Sequence, residues 1–372
     1  MKHFTDFLRV AININLLFCS TIICAQNNTD SSNFVRNVKL GGWIDAQYRY
    51  EKGADNESGV FQIRRARLDF KGSLTRWLDY RLQTDFAPNP RLIDAFATIK
   101  INEYLQLQVG QFKIPFSLEN KLSPLDLELT DNAQAISTLS GYNDITGISS
   151  YANGRDIGAM LSGKLINAMV QGEKTTIISY YVGLFGGNGI NVKTDNMVKD
   201  ISARIELCPF VRNLTLSVSG YWGKYNMHYT GISTNLDGYR IRYAGGAQYT
   251  DKHWVVRTEY LFGQTEFVNY NNETDKYNPY TVETIGCYLT LGYWLSFRMT
   301  SGGKHPSRIA PLARIEYYDK GMVDSSPAMY YSAGFDWWID EHLRIQLAYN
   351  LQQNETTNQS KHKLTTLLTV RF

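Results

Sequence analysis

From Val38 onward the chain alternates hydrophobic and polar side chains with a period of two, the signature of strands with one apolar face. In the first run Val38, Leu40, Gly42, Ile44, Ala46, Tyr48 and Tyr50 share a face, and Lys39, Trp43, Asp45, Gln47 and Arg49 share the other. The pattern recurs as Ala66, Leu68 and Phe70 against Arg65, Arg67, Asp69 and Lys71, and as Leu78, Tyr80, Leu82 and Phe86 against Asp79, Arg81, Gln83 and Asp85. Ile93, Ala95, Ala97 and Ile99 then oppose Asp94, Thr98 and Lys100, and Ile201, Ala203, Ile205 and Leu207 oppose Asp200, Ser202, Arg204 and Glu206. The last run sets Leu364, Thr366, Leu368, Val370 and Phe372 against Lys363, Thr365, Thr369 and Arg371. Runs of this kind number about sixteen, within the even-numbered range of outer-membrane barrels.

The connections alternate too. Glu51–Gly59, Pro115–Asn153, Gly186–Val198, Asn226–Gly238, Gln264–Pro279 and Gln352–Lys361 read as long and polar. Ser73–Arg76, Asn102–Glu103, Pro209–Asn213, Thr250–Lys252 and Asp340–Glu341 read as tight. Long connections on one side and short ones on the other are what a membrane barrel needs. Asn167–Lys174 and Phe297–Ser307 look too long for their side. A β-sandwich or propeller also gives alternating strands, but its strands are shorter, nearer five or six residues, and no blade-sized repeat stands out. The expected fold is therefore all-β: a transmembrane antiparallel β-barrel of about sixteen strands, with its long third extracellular loop folded into the lumen. That loop is the chain's most unusual stretch, because about forty irregular residues between two strands are rare in a compact domain.

The N-terminal segment changes the picture from fold to address. Lys2 and Arg9 precede a mostly apolar Val10–Ile23, and Ala25 before Gln26 suits a cleavage point, so residues 1–25 read as a secretory signal. The apolar run is short for a membrane span, and Ile23 before Cys24 is bulky for a lipoprotein site. Residues 26–36 form a short polar lead and 37–372 one barrel domain. No long apolar run follows, which leaves strands as the means of crossing lipid. The expected location is the bacterial outer membrane.

Charged residues are 20% and aromatic residues 13%, with 25 tyrosines and 7 tryptophans, a composition that suits aromatic girdles at membrane interfaces. The net charge of +3 and the absence of a basic run argue against nucleic acid as a partner. Cys208 and Cys287 are far apart and make no disulfide framework; no role is assigned to them.

With lipid outside, the polar faces line a water-holding lumen. The basic residues of that parity include Arg49, Arg65, Arg67, Lys71, Arg81, Lys100, Arg204, Arg257 and Arg314. Arginine presents a planar fork that binds phosphate or carboxylate bidentately and keeps its charge. A row of such groups favours anions; the competing reading is that they pair with Asp69, Asp79, Asp85 and their like across strands and brace the wall. In the long connection Lys121 is the one basic residue, against Glu119, Asp126, Glu128, Asp131 and Asp144. Lys121, Asp126, Glu128 and Asp131 are thus candidates for a constriction.

At Val109–Ser117 (VGQFKIPFS), Gly154–Leu165 (GRDIGAMLSGKL) and Phe61–Phe70 (FQIRRARLDF) the chain resembles the phosphate-selective porin O and P family, with lesser echoes at Val182–Gly189, Lys199–Pro209 and Gly334–Leu347. The resemblance spans nearly all of the chain after the signal. It implies a sixteen-stranded outer-membrane channel, assembled as a homotrimer, whose third loop folds inward and whose wall arginines, here Arg65, Arg67 and Arg81, guide small inorganic or organic anions such as phosphate. Where family members often carry a Glu-Arg pair late in the loop, this chain reads Leu-Thr-Asp-Asn (Leu129–Asn132), and that missing arginine weighs against strict phosphate specificity.

No phosphate loop, His-Glu-x-x-His, Cys-x-x-Cys or Gly-x-Ser-x-Gly appears, and the histidines lack ligand spacing. His253 with Ser217 or Ser219 is the one faint hydrolase arrangement. No cofactor or metal is expected. The leading reading is a passive porin with lipid and small solutes as its partners. The alternatives are a non-selective general porin and a barrel that binds or scaffolds through its outer loops.

Overall fold

The computed structural model describes residues 36–53, 56–141, 144–146, 154–170, 172–193, 199–209, 211–229, 232–271, 273, 276–298, 306–323, 325–357 and 359–372. The expected signal and nearly all of the polar lead lie outside these residues. Among the described residues sixteen strands follow one another. They are β1 (Arg36–Lys52), β2 (Glu57–Thr75), β3 (Leu78–Asp85), β4 (Arg91–Lys100), β5 (Gln106–Lys113), β6 (Arg155–Val170), β7 (Glu173–Phe185) and β8 (Asp200–Leu207). Then come β9 (Leu214–Tyr229), β10 (Ile232–Thr250), β11 (Trp254–Asn271), β12 (Lys276–Tyr293, resuming as Leu295–Phe297), β13 (Ser307–Asp319), β14 (Ala328–Trp338), β15 (Leu343–Asn354) and β16 (Ser360–Arg371). Two short helices, α1 (Leu118–Lys121) and α2 (Gln134–Leu139), lie between β5 and β6.

Each strand pairs antiparallel with its sequence neighbours, and β1 also pairs with β16, from Trp43 opposite Arg371 to Lys52 opposite His362. The sheet is therefore closed and has no edge, the condition for satisfying every backbone amide in lipid. The seam ends on the last residue: Phe372 N donates to Gly42 O at 3.0 Å and Gly42 N donates to Phe372 O at 2.9 Å.

Burial runs opposite to that of a water-soluble protein. Leu40, Ile44, Leu82, Leu161, Leu184, Ile205, Val218, Leu291 and Val370 are exposed, whereas Asp45, Asp85, Arg204, Arg240, Arg257, Arg314 and Arg344 are buried. Water would penalise that apolar band heavily and hydrocarbon does not. Aromatic side chains mark both ends of the band. Trp77, Tyr104 and Trp254 stand exposed beside the short turns, and Tyr48–Phe61 (4.6 Å, tilted) and Phe267–Tyr280 (5.9 Å, stacked) pair towards the long connections. The short turns carry their own caps. Asn102 Oδ1 accepts from the amides of Tyr104 and Leu105, both at 2.8 Å. Asp251 Oδ1 accepts from His253 (2.7 Å) and Trp254 (2.6 Å), and Asp340 Oδ1 from His342 (2.7 Å) and Leu343 (2.8 Å). These amides hold both turn carboxyls below their ordinary pKa, Trp254 foremost for Asp251 and His342 for Asp340. His253 is thus a turn residue.

Three connections differ from expectation. Asn226–Gly238 and Gln264–Pro279 are mostly hairpin, because β9 to β12 continue well past the ~9–11 residues needed to cross the membrane. Tyr225, Met227 and Val268 bury one another there, with Leu236, Tyr229 and Tyr277 packed alongside, and that apolar cluster offsets the cost of ordering polar chain. Asn167–Lys174 is tight after all, since β6 runs to Val170, β7 starts at Glu173, and Gly172 supplies a left-handed φ of 84°. Phe297–Ser307 falls mostly outside the described residues.

Of the register shifts that break the period of two, those in β2 and β4 bear on the polar face. Asp45 faces Arg65 but Ala46 faces Ile63, so Arg64 is the extra residue of β2. Gln83 faces Asp94 but Thr84 faces Leu92, so Ile93 is the extra residue of β4; it is buried against Ile190, not on the outer face where strict alternation puts it.

Val218 is 61% exposed near the middle of β9's membrane portion. Val218→Arg is expected to lower barrel stability by about 2–4 kcal/mol, the cost of a midplane cation facing lipid, with Val218→Leu near neutral; equilibrium unfolding in liposomes measures both.

Candidate functional site

The connection between β5 and β6 closes on itself at a narrow neck. Ile114 N donates to Gly154 O at 3.0 Å, and Asn120 Nδ2 reaches Ile114 O (3.2 Å) and Gly154 O (3.3 Å). Gly154 has φ +70°, and a Cβ there would fall 1.8 Å from Asn120 Oδ1. The glycine is thus required twice over, by backbone conformation and by space.

From that neck the connection binds the polar faces of strands around the barrel. Glu259 of β11 accepts from Leu118 N (2.8 Å), Glu119 N (2.9 Å) and Ser117 Oγ (3.1 Å), and Tyr288 Oη donates to the same carboxylate at 2.8 Å. A wall carboxylate therefore takes up the free amides that open α1. Helix α2 follows the same logic: its N-cap, Ala133, has no side-chain cap, and Glu316 of β13 accepts from Gln134 N at 2.8 Å. Phe116, Ala135, Ile136 and Leu139 pack on Tyr221, Ala244, Leu261 and Tyr288. The wall leaves room for them: a Cβ on Gly263 would meet Leu139 at 2.5 Å, and one on Gly286 would meet Ala135 at 2.4 Å.

The acidic residues of the connection meet basic residues of the wall. Glu128 is held bidentately by Arg257 at 2.9 and 3.1 Å. Glu119 accepts from Arg314 at 3.0 Å, Asp144 pairs with Arg242 and lies 3.8 Å from Arg240, and Asp131 is shared by Arg64 (2.6 Å) and Lys363 (2.9 Å). Lys121 reaches Glu206 at 2.9 Å. Asp126 stands exposed and makes no ion pair among the described residues. Arg344 and Gln346 bind main-chain carbonyls, Leu127 O at 2.7 and 3.0 Å and, from Gln346, Glu128 O at 2.7 Å.

Each of the nine wall bases expected to guide anions has a carboxylate partner. The distances are Arg49–Glu51 3.6 Å, Arg65–Asp45 3.0 Å, Arg67–Asp85 2.8 Å, Lys71–Asp69 3.4 Å and Arg81–Asp69 2.8 Å. The remainder are Lys100–Asp79 2.5 Å, Arg204–Glu206 3.3 Å, Arg257–Glu128 2.9 Å and Arg314–Glu119 3.0 Å. Exposure separates them. Arg67, Arg204, Arg257 and Arg314 are buried, while Arg49, Lys71, Arg81 and Lys100 keep substantial exposure and Arg65 a little. Arg67 also lies over the Trp43 ring at 5.4 Å.

The sequence motifs prove to be clasps. Gln111 Nε2 donates to Leu92 O and Ile93 O, and its Oε1 accepts from Asn191 N at 2.8 Å. Lys113 Nζ donates to Asn120 O at 2.6 Å and to Leu122 O, closing the end of α1. Arg155 clamps Asp94 at 2.6 and 3.2 Å, and Asp156 accepts from Gly187 N at 2.5 Å. Sequence reasoning missed Arg64, because period two assigns it to lipid and only the bulge turns it to Asp131. It also passed over Lys113, whose exposed-looking motif gives no sign that its amine points at carbonyls.

Two cavities border the connection. One of about 600 Å³ lies towards the long connections and includes Asp131, Gln134, Arg314, Gln352 and Lys363 in its lining. The other, about 170 Å³, is bounded by Arg81, Lys113, Lys121 and Arg155, with Asp94 as its one carboxylate.

The family model described as phosphate-selective porin O and P matches residues 37–372. Among solved structures, an anion-selective porin from Comamonas acidovorans is 13% identical, covers 90% of this chain and 99% of its own, and superposes with a TM-score of 0.62. Salmonella typhi OmpF in complex with daunomycin is 14% identical over 92% of this chain and 99% of its own, also at 0.62. The trimer form of OmpT, an outer-membrane protein of Vibrio cholerae, is 8% identical over 90% and 99%, at 0.56. At these identities the likeness is one of fold. No curated protein matches the chain.

Arg257→Ala leaves Glu128 buried without its counter-charge, which costs about 3–5 kcal/mol when a buried pair is broken on one side. The connection is expected to loosen, so that trypsin cuts the folded barrel after Lys121 in this variant and spares the wild type; mass analysis of the fragments decides it.

Proposed function

The chain belongs to the phosphate-selective porin O and P family, which makes it an outer-membrane channel protein of bacteria, and on that premise we propose that it passes small hydrophilic solutes with a preference for anions. In this reading the β5–β6 connection is the third extracellular loop, folded into the lumen as its constriction. The mature protein is released from residues 1–25 and assembles as a homotrimer. The trimer form of Vibrio cholerae OmpT, similar in fold, supports the last point.

The observation that carries the anion preference is the lining of the smaller cavity, where two arginines and two lysines surround one carboxylate. Arg155 is spent on Asp94, and Arg81 on Asp69 and Asp94. Lys113 points its amine at the backbone carbonyls of Asn120 and Leu122. Lys121, from the loop, is paired with Glu206 at 2.9 Å, and its side chain stays half exposed. A passage bounded in this way lowers the barrier for anions and raises it for cations. Pairing of the remaining wall arginines favours a modest selectivity over a strict phosphate filter. They hold the loop and the wall in place, and Arg81, Lys71, Lys100 and Lys121 keep the exposure that lets a solute reach them.

Reconstituted in a planar bilayer under a salt gradient, the wild type is expected to show an anion-directed reversal potential. Arg81→Gln combined with Lys121→Gln moves it towards zero, whereas the buried Arg67→Gln acts mainly on stability. A cation-directed potential in the wild type ends the anion reading.

A further inference from the structure

The larger cavity, between the loop and β1, β2 and β13 to β16, has a chemistry opposite to the smaller one. Its ionic groups are mostly committed to protein partners. Lys363 and Asp131 hold each other at 2.9 Å, Arg314 is bonded to Glu119 at 3.0 Å, and Glu316 accepts from Gln134 N at 2.8 Å. Glu51 faces Arg49 at 3.6 Å and Lys52 faces Glu57 at 4.0 Å, which leaves Lys361 as the one lining lysine without a carboxylate partner among the described residues. The hydrogen-bonding capacity left over is neutral. The side chains of Asn56, Asn132, Gln134, Gln352 and Gln359 line the space without a hydrogen bond to another described residue, and the hydroxyls of Ser58 and Tyr330 stand beside them in the same condition.

A primary amide offers two donors and an acceptor on one plane. Several of them around one space match a ligand that carries donors and acceptors together at short intervals and has no net charge, which is the chemistry of a polyhydroxylated solute. An isolated anion would leave the amide oxygens without donors, and an apolar ligand would leave both ends of each amide unmatched. The volume, about 600 Å³, lies within the ~300–1,000 Å³ range of small-molecule sites. Tyr330 adds a ring face against which a sugar can lie.

We propose that this outer vestibule is a capture site for neutral saccharides of a few sugar units, placed above the basic passage. The inference goes beyond the anion reading and depends on it only for access to the channel mouth. Uncommitted amides bind the sugar there by direct hydrogen bonds, and the loop segment Leu129–Gln134 forms the floor.

The test is single-channel recording of the full barrel in a planar bilayer with maltotriose added to the loop-facing side. Transient, concentration-dependent current blocks are expected, and weaker ones when the sugar is added from the short-turn side. Gln352→Ala with Gln359→Ala should weaken the blocking affinity roughly tenfold, the effect of losing two or three hydrogen bonds, with sugar-free conductance and reversal potential unchanged. Those two controls show that the barrel and its ion preference are intact, so failure of this proposal is distinguishable from failure of the anion reading. The absence of maltotriose block in the wild type, or block unaltered in the double variant, overturns it. So does block by a triphosphate alone, abolished by Lys361→Ala.

Discussion

A bilayer offers no partner for a bare amide or carbonyl, and this chain meets that constraint by closing its sheet. Pairing of β1 with β16, finished by the reciprocal bonds between Gly42 and Phe372, leaves no free strand edge. Every other feature depends on that closure. Once the wall is continuous, side chains have only two directions, and lipid and water divide them. Leucine, isoleucine and valine go outward and carboxylates and guanidinium groups go inward, the inverse of a soluble core.

The inward charges then face a second problem, since an ion away from bulk water needs a partner. The wall and the β5–β6 connection solve it for each other. Acidic residues that would make the connection repel itself are matched by Arg257, Arg314, Arg242, Arg64 and Lys363 on distant strands. Two wall carboxylates complete the helix starts: Glu259 takes the Leu118 and Glu119 amides that the N-cap Ser117 leaves free, and Glu316 takes the Gln134 amide of α2, whose N-cap Ala133 has no side-chain acceptor. A segment too polar and too irregular to fold alone is thereby held by groups that were themselves in need of neutralisation. What this cancellation leaves beside the connection is a small cavity bounded by Arg81, Lys113, Lys121 and Arg155 and a larger one lined in part by neutral amides.

The family motifs fit the same account. Gly-Gln-Phe-Lys and Gly-Arg-Asp-Ile-Gly, which carry the family resemblance, flank the connection on β5 and β6. Gln111, Lys113, Arg155 and Asp156 spend their polar groups on backbone atoms and on Asp94. They secure the ends of the β5–β6 connection. Lys113 does so by closing the end of α1 on main-chain carbonyls.

The alternation of side chains was enough to determine the strand class, the approximate number of strands, the sidedness of the wall and the existence of one exceptional connection, because a period of two is a local property that each strand carries by itself. It also placed Arg65, Arg67, Arg81 and their neighbours on the polar face. Three things were decided only in three dimensions. Bulges at Arg64 and Ile93 depend on the partner strand's register, so no reading of one strand alone reveals them. The long hairpins of β9 to β12 depend on Tyr225, Met227 and Val268 meeting across strands far apart in sequence. Which charges are free and which are spent depends on pairs such as Arg257 with Glu128 and Arg314 with Glu119. More than a hundred residues separate the partners of each pair, and only closure of the barrel brings them within bonding distance.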